Sequence, residues 1–124
     1  MNRSLKQFDN FLYEWMKQCP FVAPLKKEYG PLLRKFNVFE HPTHIEFNII
    51  VLDSSARGQG ILTKIMNQVI EYANSLGKPI SIYPDETQGT PEKTLIEIYK
   101  KFGFKMGKRP YLDCEGEMVR PPDK

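Results

Sequence analysis

The sequence predicts an α/β fold, a mixed central sheet flanked by helices, and three observations carry that reading. His44–Asp53 alternates apolar and polar residues as a strand does. Across the loop SSARGQG it is followed by a long segment, Ile61–Leu76, with apolar residues at helical spacing and a glycine, Gly77, at its end. A short apolar run, Pro79–Pro84 (PISIYP), comes next. A strand–helix–strand unit this short is most simply a parallel, right-handed crossover.

The 124 residues are enough for one domain with its own core, and 40% hydrophobic with 27% charged residues is a globular composition. The net charge of +3 is a mild basic excess. No apolar run approaches a membrane span of roughly 20 residues, and MNRSLKQFDN has no signal-peptide core. Cys19 and Cys114 have no metal or CxxC spacing. They read as reduced thiols of a cytoplasmic protein.

In chain order, Ser4 is placed to cap a helix whose apolar stripe is Leu5, Phe8, Leu12 and Trp15, stopped by Pro20. Residues 20–31, with Pro20, Pro24, Gly30 and Pro31, read as an irregular connection with at most a helical turn around Leu25–Tyr29. Leu32–Glu40 is a strand, and His41-Pro42-Thr43 turns it into the antiparallel strand His44–Asp53. Strict alternation there puts Ile45, Phe47, Ile49 and Val51 on the core face and Glu46, Asn48, Ile50 and Leu52 on the other. The following helix buries Leu62, Met66, Val69, Ala73 and Leu76, widened by Ile61, Ile65 and Tyr72. Thr90-Pro91-Glu92 is a helix start with Thr90 capping and Pro91 first, and Leu95, Ile98, Tyr99 and Phe102 form that helix's stripe. Phe104–Met106 and Glu117–Arg120 close the fold as short strands.

The loop Arg57-Gly58-Gln59-Gly60 carries the chemistry. A strand, a glycine loop and a helix start present backbone N–H groups and the positive end of a helix to an anion. Arg57 adds a charged donor. No GK[ST] follows, so it is not a Walker loop, and Thr63 stands where a dinucleotide fingerprint has its third glycine. From spacing alone, the alternative is an ordinary glycine turn that starts a helix.

On these residues the chain resembles the GNAT superfamily of N-acetyltransferases. Its signature is Arg or Gln, two residues, Gly, one residue, then Gly or Ala, and here it reads Arg57-Gly58-Gln59-Gly60-Ile61-Leu62. A helix ending in a Tyr followed by Gly-Phe is matched by Tyr99 and Gly103-Phe104, and a strand glutamate upstream of the loop by Glu46. The likeness runs over roughly residues 32–120, the cofactor-binding core of one domain spanning 1–124, with residues 1–31 a divergent helical part.

The resemblance implies acetyl-CoA as cosubstrate, no metal, and direct attack of a primary amine on the thioester. It implies that Arg57, Gly58, Gln59, Gly60, Ile61 and Leu62 hold the pyrophosphate. The backbone of Ile50, Val51 and Leu52 would pair with the pantetheine arm, with Leu52 or its neighbour polarising the thioester carbonyl. Glu46 would be the general base and Tyr99 the general acid. Against these stand a surface acid on an exposed strand face and a packed core tyrosine. Leu62 departs from the small residue of the signature. Glu92 and Leu95 stand where many members have Asn and Ala. These departures keep open a second reading, a catalytically inactive CoA-binding or protein-interaction module.

No residue names the acceptor, and the chain is read as a monomer or homodimer. His41 and His44 flank a turn without a third metal ligand. Asp85 and Glu86 lie at a strand's carboxyl end, where a cationic acceptor would come. Lys100, Lys101, Lys105, Lys108 and Arg109 complement a helix C-terminus rather than a nucleic acid, since no stacking aromatics are interleaved.

Overall fold

The structure is a computed structural model that describes residues 17–84, 90–106 and 117–123. Residues 4–16 of the predicted first helix, the acids Asp85 and Glu86, the bases Lys108 and Arg109, and Cys114 lie outside the described residues; the end of that helix, expected to reach Pro20, is instead strand at Lys17–Gln18. Six strands form one mixed sheet in the order β1-β2-β3-β4-β6-β5. They are β1 (Lys17–Gln18), β2 (Leu33–Glu40), β3 (Ile45–Leu52), β4 (Ile80–Ile82), β5 (Lys105–Met106) and β6 (Met118–Arg120). The helices are α1 (Val22–Tyr29), α2 (Ile61–Leu76) and α3 (Glu92–Lys101). β3 and β4 pair parallel across α2, as their connection predicts, and the other neighbours pair antiparallel.

The proline-rich stretch is more regular than its composition predicts. Pro24 is the third residue of α1. N–H groups of the first turn have no acceptor within their helix, so a missing one there costs little. β1 has no precursor in the pattern, because both its residues are exposed and nothing alternates.

β3 departs from strict alternation. Asn37 pairs with Ile49 and Val38 with Phe47, which leaves Asn48 as a bulge. From there inward and outward exchange. Ile50 shares the face of buried Phe36, and Leu52 that of buried Leu33, while Val51 lies opposite exposed Lys35. Ile50 and Leu52, predicted on the outer face, therefore pack on the core, while Ile49 and Val51 lie on the opposite face, Ile49 half-buried and Val51 buried as predicted.

The core is built from Phe36, Val38, Ile45 and Phe47 of β2 and β3 and from Ile61, Ile65, Met66, Val69 and Ala73 of α2. Each large side chain buried there contributes roughly 1.5–3 kcal/mol. Two residues of the predicted stripe fall outside the core, Leu76, 42% exposed in the last turn, and Leu62, half-buried and lining a cleft. Gly77 ends α2 as expected, with Lys78 N–H donating to Ala73 O at 3.0 Å. Helix α3 starts one residue later than predicted. Pro91 is its N-cap, Thr90 stands outside, and no side-chain cap bond is formed.

Candidate active site

β3 and β4 are paired over only three rungs, Ile45–Ile80, Glu46–Ser81 and Phe47–Ile82. β4 ends at Ile82, whereas β3 continues to Leu52 with no β4 partner beyond Phe47. The parting of the two parallel strands opens a cleft of about 330 Å³. One wall is the β3 backbone from Phe47 to Leu52, which carries the bulge at Asn48. Opposite stand Ile82 and Tyr83, and Leu95, Ile98 and Tyr99 of α3. Arg57, Gly58 and Leu62 close one end.

The loop between β3 and α2 is held by its own polar groups. Asp53 Oδ2 accepts from the Ser55 backbone N–H at 3.1 Å and from the Ser55 hydroxyl at 2.6 Å. Those donors hold the Asp53 carboxyl below its ordinary pKa. Gln59 Nε2 donates to Ser55 O at 2.8 Å. Gly58 and Gly60 sit at φ +80° and +77°. A Cβ at either would meet nothing within 4 Å, so the left-handed backbone, not crowding, demands glycine. Gly60 is the N-cap of α2, and no side chain caps that end among the described residues. Arg57 thus lines the cleft beside the N-terminus of α2, whose first N–H groups have no acceptor within their own helix.

Of the residues expected to hold the cofactor, Ile50, Val51, Leu52, Arg57, Gly58 and Leu62 line the cleft. Gln59, Gly60 and Ile61 do not. Gln59 braces the loop, Gly60 shapes it, and Ile61 is buried in the core. Tyr99 lines the cleft while 95% buried, its ring 6.0 Å from that of Phe104. Both descriptions of Tyr99, core residue and cleft residue, therefore hold at once.

Glu46 is outside the lining but two residues from Asn48, which is part of it. Its carboxylate accepts from Asn48 Nδ2 at 2.8 Å and bonds His41 Nε2 at 2.7 Å. The histidines read as turn residues do form the turn, with His41 N–H donating to His44 O at 2.8 Å and the rings stacked 4.4 Å apart. The link from His41 to Glu46 was not legible in the sequence. Neither were Phe47, Tyr83 and Thr90 as cleft residues, because the bulge and the strand parting that expose them leave no pattern in composition.

Among the described residues no three His, Cys, Asp or Glu side chains converge on a metal position, and no helix is long and apolar enough to cross a membrane. Cys19 is a free, buried thiol, its pKa pushed up to about 12 chiefly by that burial.

Comparison with known proteins agrees with this geometry. A segment of 59 residues is 39% identical to a protein of Methanocaldococcus jannaschii named as an uncharacterized N-acetyltransferase, covering 48% of this chain and 25% of that one. The match thus spans about a quarter of that relative's length. The fold is similar to the crystal structure of the anti-CRISPR protein AcrVA5, with a TM-score of 0.55 over 68% of this chain and 85% of that one. At 19% identity that is a likeness of fold alone. Residues 8–104 match the profile of the acetyltransferase (GNAT) family, and with most of its length so matched the chain belongs to that family.

Proposed function

We propose that this chain is an acetyl-CoA-dependent N-acetyltransferase that passes the acetyl group directly to a primary amine. The observation that carries the reading is the parting of β3 from β4 beyond Phe47 and Ile82, beside the open N-terminus of α2. An unpaired β3 edge is a template for the amide groups of an extended pantetheine arm. Arg57 and the first N–H groups of α2 would meet the pyrophosphate. These groups fit the cosubstrate at both its ends.

Each residue then has a definite task. A free amine of pKa about 10.4 arrives protonated, so Glu46 takes a proton from the nitrogen, directly or through water. A backbone N–H at Leu52 or its neighbour steadies the negative oxygen of the tetrahedral intermediate. Tyr99 gives a proton to the departing thiolate as the carbon–sulfur bond breaks. The acetyl group moves in one transfer, without a covalent enzyme intermediate. Cys19 is excluded as a nucleophile by its burial and raised pKa.

A second reading, an inactive CoA-binding or protein-interaction module, is favoured by one feature. Leu62 and Leu95, both departures from the family pattern, line the cleft where smaller side chains leave more room.

Thermal unfolding with acetyl-CoA tests the core of both. Ligand at about 100 times its dissociation constant adds roughly 2.7 kcal/mol, which for a domain of this size is a rise of several degrees. No shift at millimolar acetyl-CoA overturns the enzyme and the CoA-binding module and leaves the protein-interaction module. A shift without acetyl transfer to a lysine peptide, a peptide amino terminus, spermidine or a small primary amine selects the inactive module.

A further inference from the structure

An ionised carboxylate only accepts hydrogen bonds, so each neighbour that donates to it fixes its direction as well as its charge. Both oxygens of Glu46 are engaged, Oε2 by Asn48 Nδ2 at 2.8 Å and Oε1 by His41 Nε2 at 2.7 Å. The two partners arrive from different directions. Asn48 is the bulge residue of β3 and lines the cleft, while His41 comes from the turn after β2.

The turn itself is braced. His41 N–H donates to His44 O, its carbonyl oxygen accepts from Lys78 Nζ at 2.9 Å, and its ring is stacked nearly parallel on that of His44. Lys78 is in turn paired with Glu40 at 3.0 Å, and Glu40 with the Tyr72 hydroxyl. An imidazole held by its backbone, by a ring stack and by a neighbouring ion pair is a rigid arm. It ends on the carboxylate that the proposed reaction needs.

We propose that His41 is a positioning residue for acetyl transfer, holding the Glu46 carboxylate, together with Asn48, in the orientation from which it takes the acceptor's proton. This rests on the reading of Glu46 as the base. His41 touches neither cosubstrate nor reacting atoms. It acts through Glu46 alone, with its Nε2–H donating to Oε1.

The charged and titratable groups around His41 among the described residues are Glu46, His44, Lys78 and Glu40. Glu46 meets its ring edge through a hydrogen bond of 2.7 Å.

The test compares H41A, H41Q, E46Q and H41A/E46Q in acetyl transfer from acetyl-CoA to the four amine probes named above, each variant checked for folding by its melting temperature. H41A is expected to lower kcat on the order of tenfold and to leave KM for acetyl-CoA near the original value. H41Q, whose amide nitrogen reaches the place of Nε2, restores most of the loss. H41A adds nothing in the E46Q background, since it acts through a group already removed. If E46Q has the original rate, the base assignment fails and this inference with it. If E46Q is impaired but H41A is not, or if the two losses multiply, the inference fails while the base assignment stands. A chain with no transfer to any probe overturns the enzyme reading itself.

Discussion

Phe47 lies opposite Ile82 in the last rung that joins β3 to β4. One residue later the bulge at Asn48 turns β3 over, and from there it runs on without a β4 neighbour. The same two residues thus close the core and open the cleft: both are buried, and both line it.

Tyr99→Phe removes one oxygen from a ring that stays packed against Phe104. It should lower kcat by about 10²-fold, at the low end of general acid effects, while the acetyl-CoA-induced rise in melting temperature is kept. Steady-state kinetics beside thermal unfolding separate the two. Unchanged kcat would remove Tyr99 as the acid.

Gly60→Ala should cost about 1–2 kcal/mol, because the φ of +77° at the N-cap of α2 is one that L-residues resist. Arg57→Ala leaves that backbone alone and its side chain is exposed. It should leave stability within about 0.5 kcal/mol while weakening acetyl-CoA binding about tenfold, the loss of one charge-assisted hydrogen bond. Urea unfolding and calorimetric titration measure the two effects. Equal affinity in Arg57→Ala would take the guanidinium out of the phosphate site.

Glu40, Tyr72 and Cys19 make stability depend on pH at both ends. The Glu40 carboxyl is held below its ordinary pKa by the Tyr72 hydroxyl first and the Lys78 ammonium second. Its contribution is present above the unfolded value of 4.5 and is lost as pH falls through the lower folded value. Tyr72 is raised from 10.0 to about 12, mainly because its hydroxyl donates to Glu40 at 2.5 Å. Burial raises Cys19 from 9.0 to about 12. Both folded states hold their protons more tightly than the unfolded chain does. Their contributions are complete below pH 9 and decline from there to pH 12. Melting temperature against pH should fall along both limbs. Tyr72→Phe should reduce the acid dependence and shrink the alkaline one to the part due to Cys19. An alkaline limb unaltered in Tyr72→Phe would contradict the assignment.

Arg120 joins the ends of two helices. Its Nε donates to Phe102 O at 2.7 Å, just past α3, and its Nη2 reaches Asp123, which also bonds Asn74 of α2. The Arg120 side chain is largely buried and that of Asp123 largely exposed. Arg120→Met should therefore cost about 1–3 kcal/mol, by leaving a partly buried carbonyl without its donor. Asp123→Ala should cost less than about 1 kcal/mol. Chemical denaturation of both variants checks the order, and equal losses would show that the ion pair, not the carbonyl contact, holds the clasp.

Local pattern was enough for the elements whose signals are local. The period of Ile61, Ile65, Met66, Val69 and Ala73 specified α2, Gly77 its end, and the short connection the parallel pairing of β3 with β4. The loop Arg57–Leu62 was legible because left-handed backbone and a helix start impose glycine at particular places. Tertiary contact decided the rest. A bulge is a mismatch between two strands, so no single strand carries it, and the inward turn of Ile50 and Leu52 became visible only when β2 was laid beside β3. β1 exists because β2 offers it an edge, not because Lys17 and Gln18 favour a strand. The 2.7 Å contact of His41 with Glu46 joins two residues whose spacing of five matches neither strand nor helix period, and a turn folded back on its own strand is what brings them together.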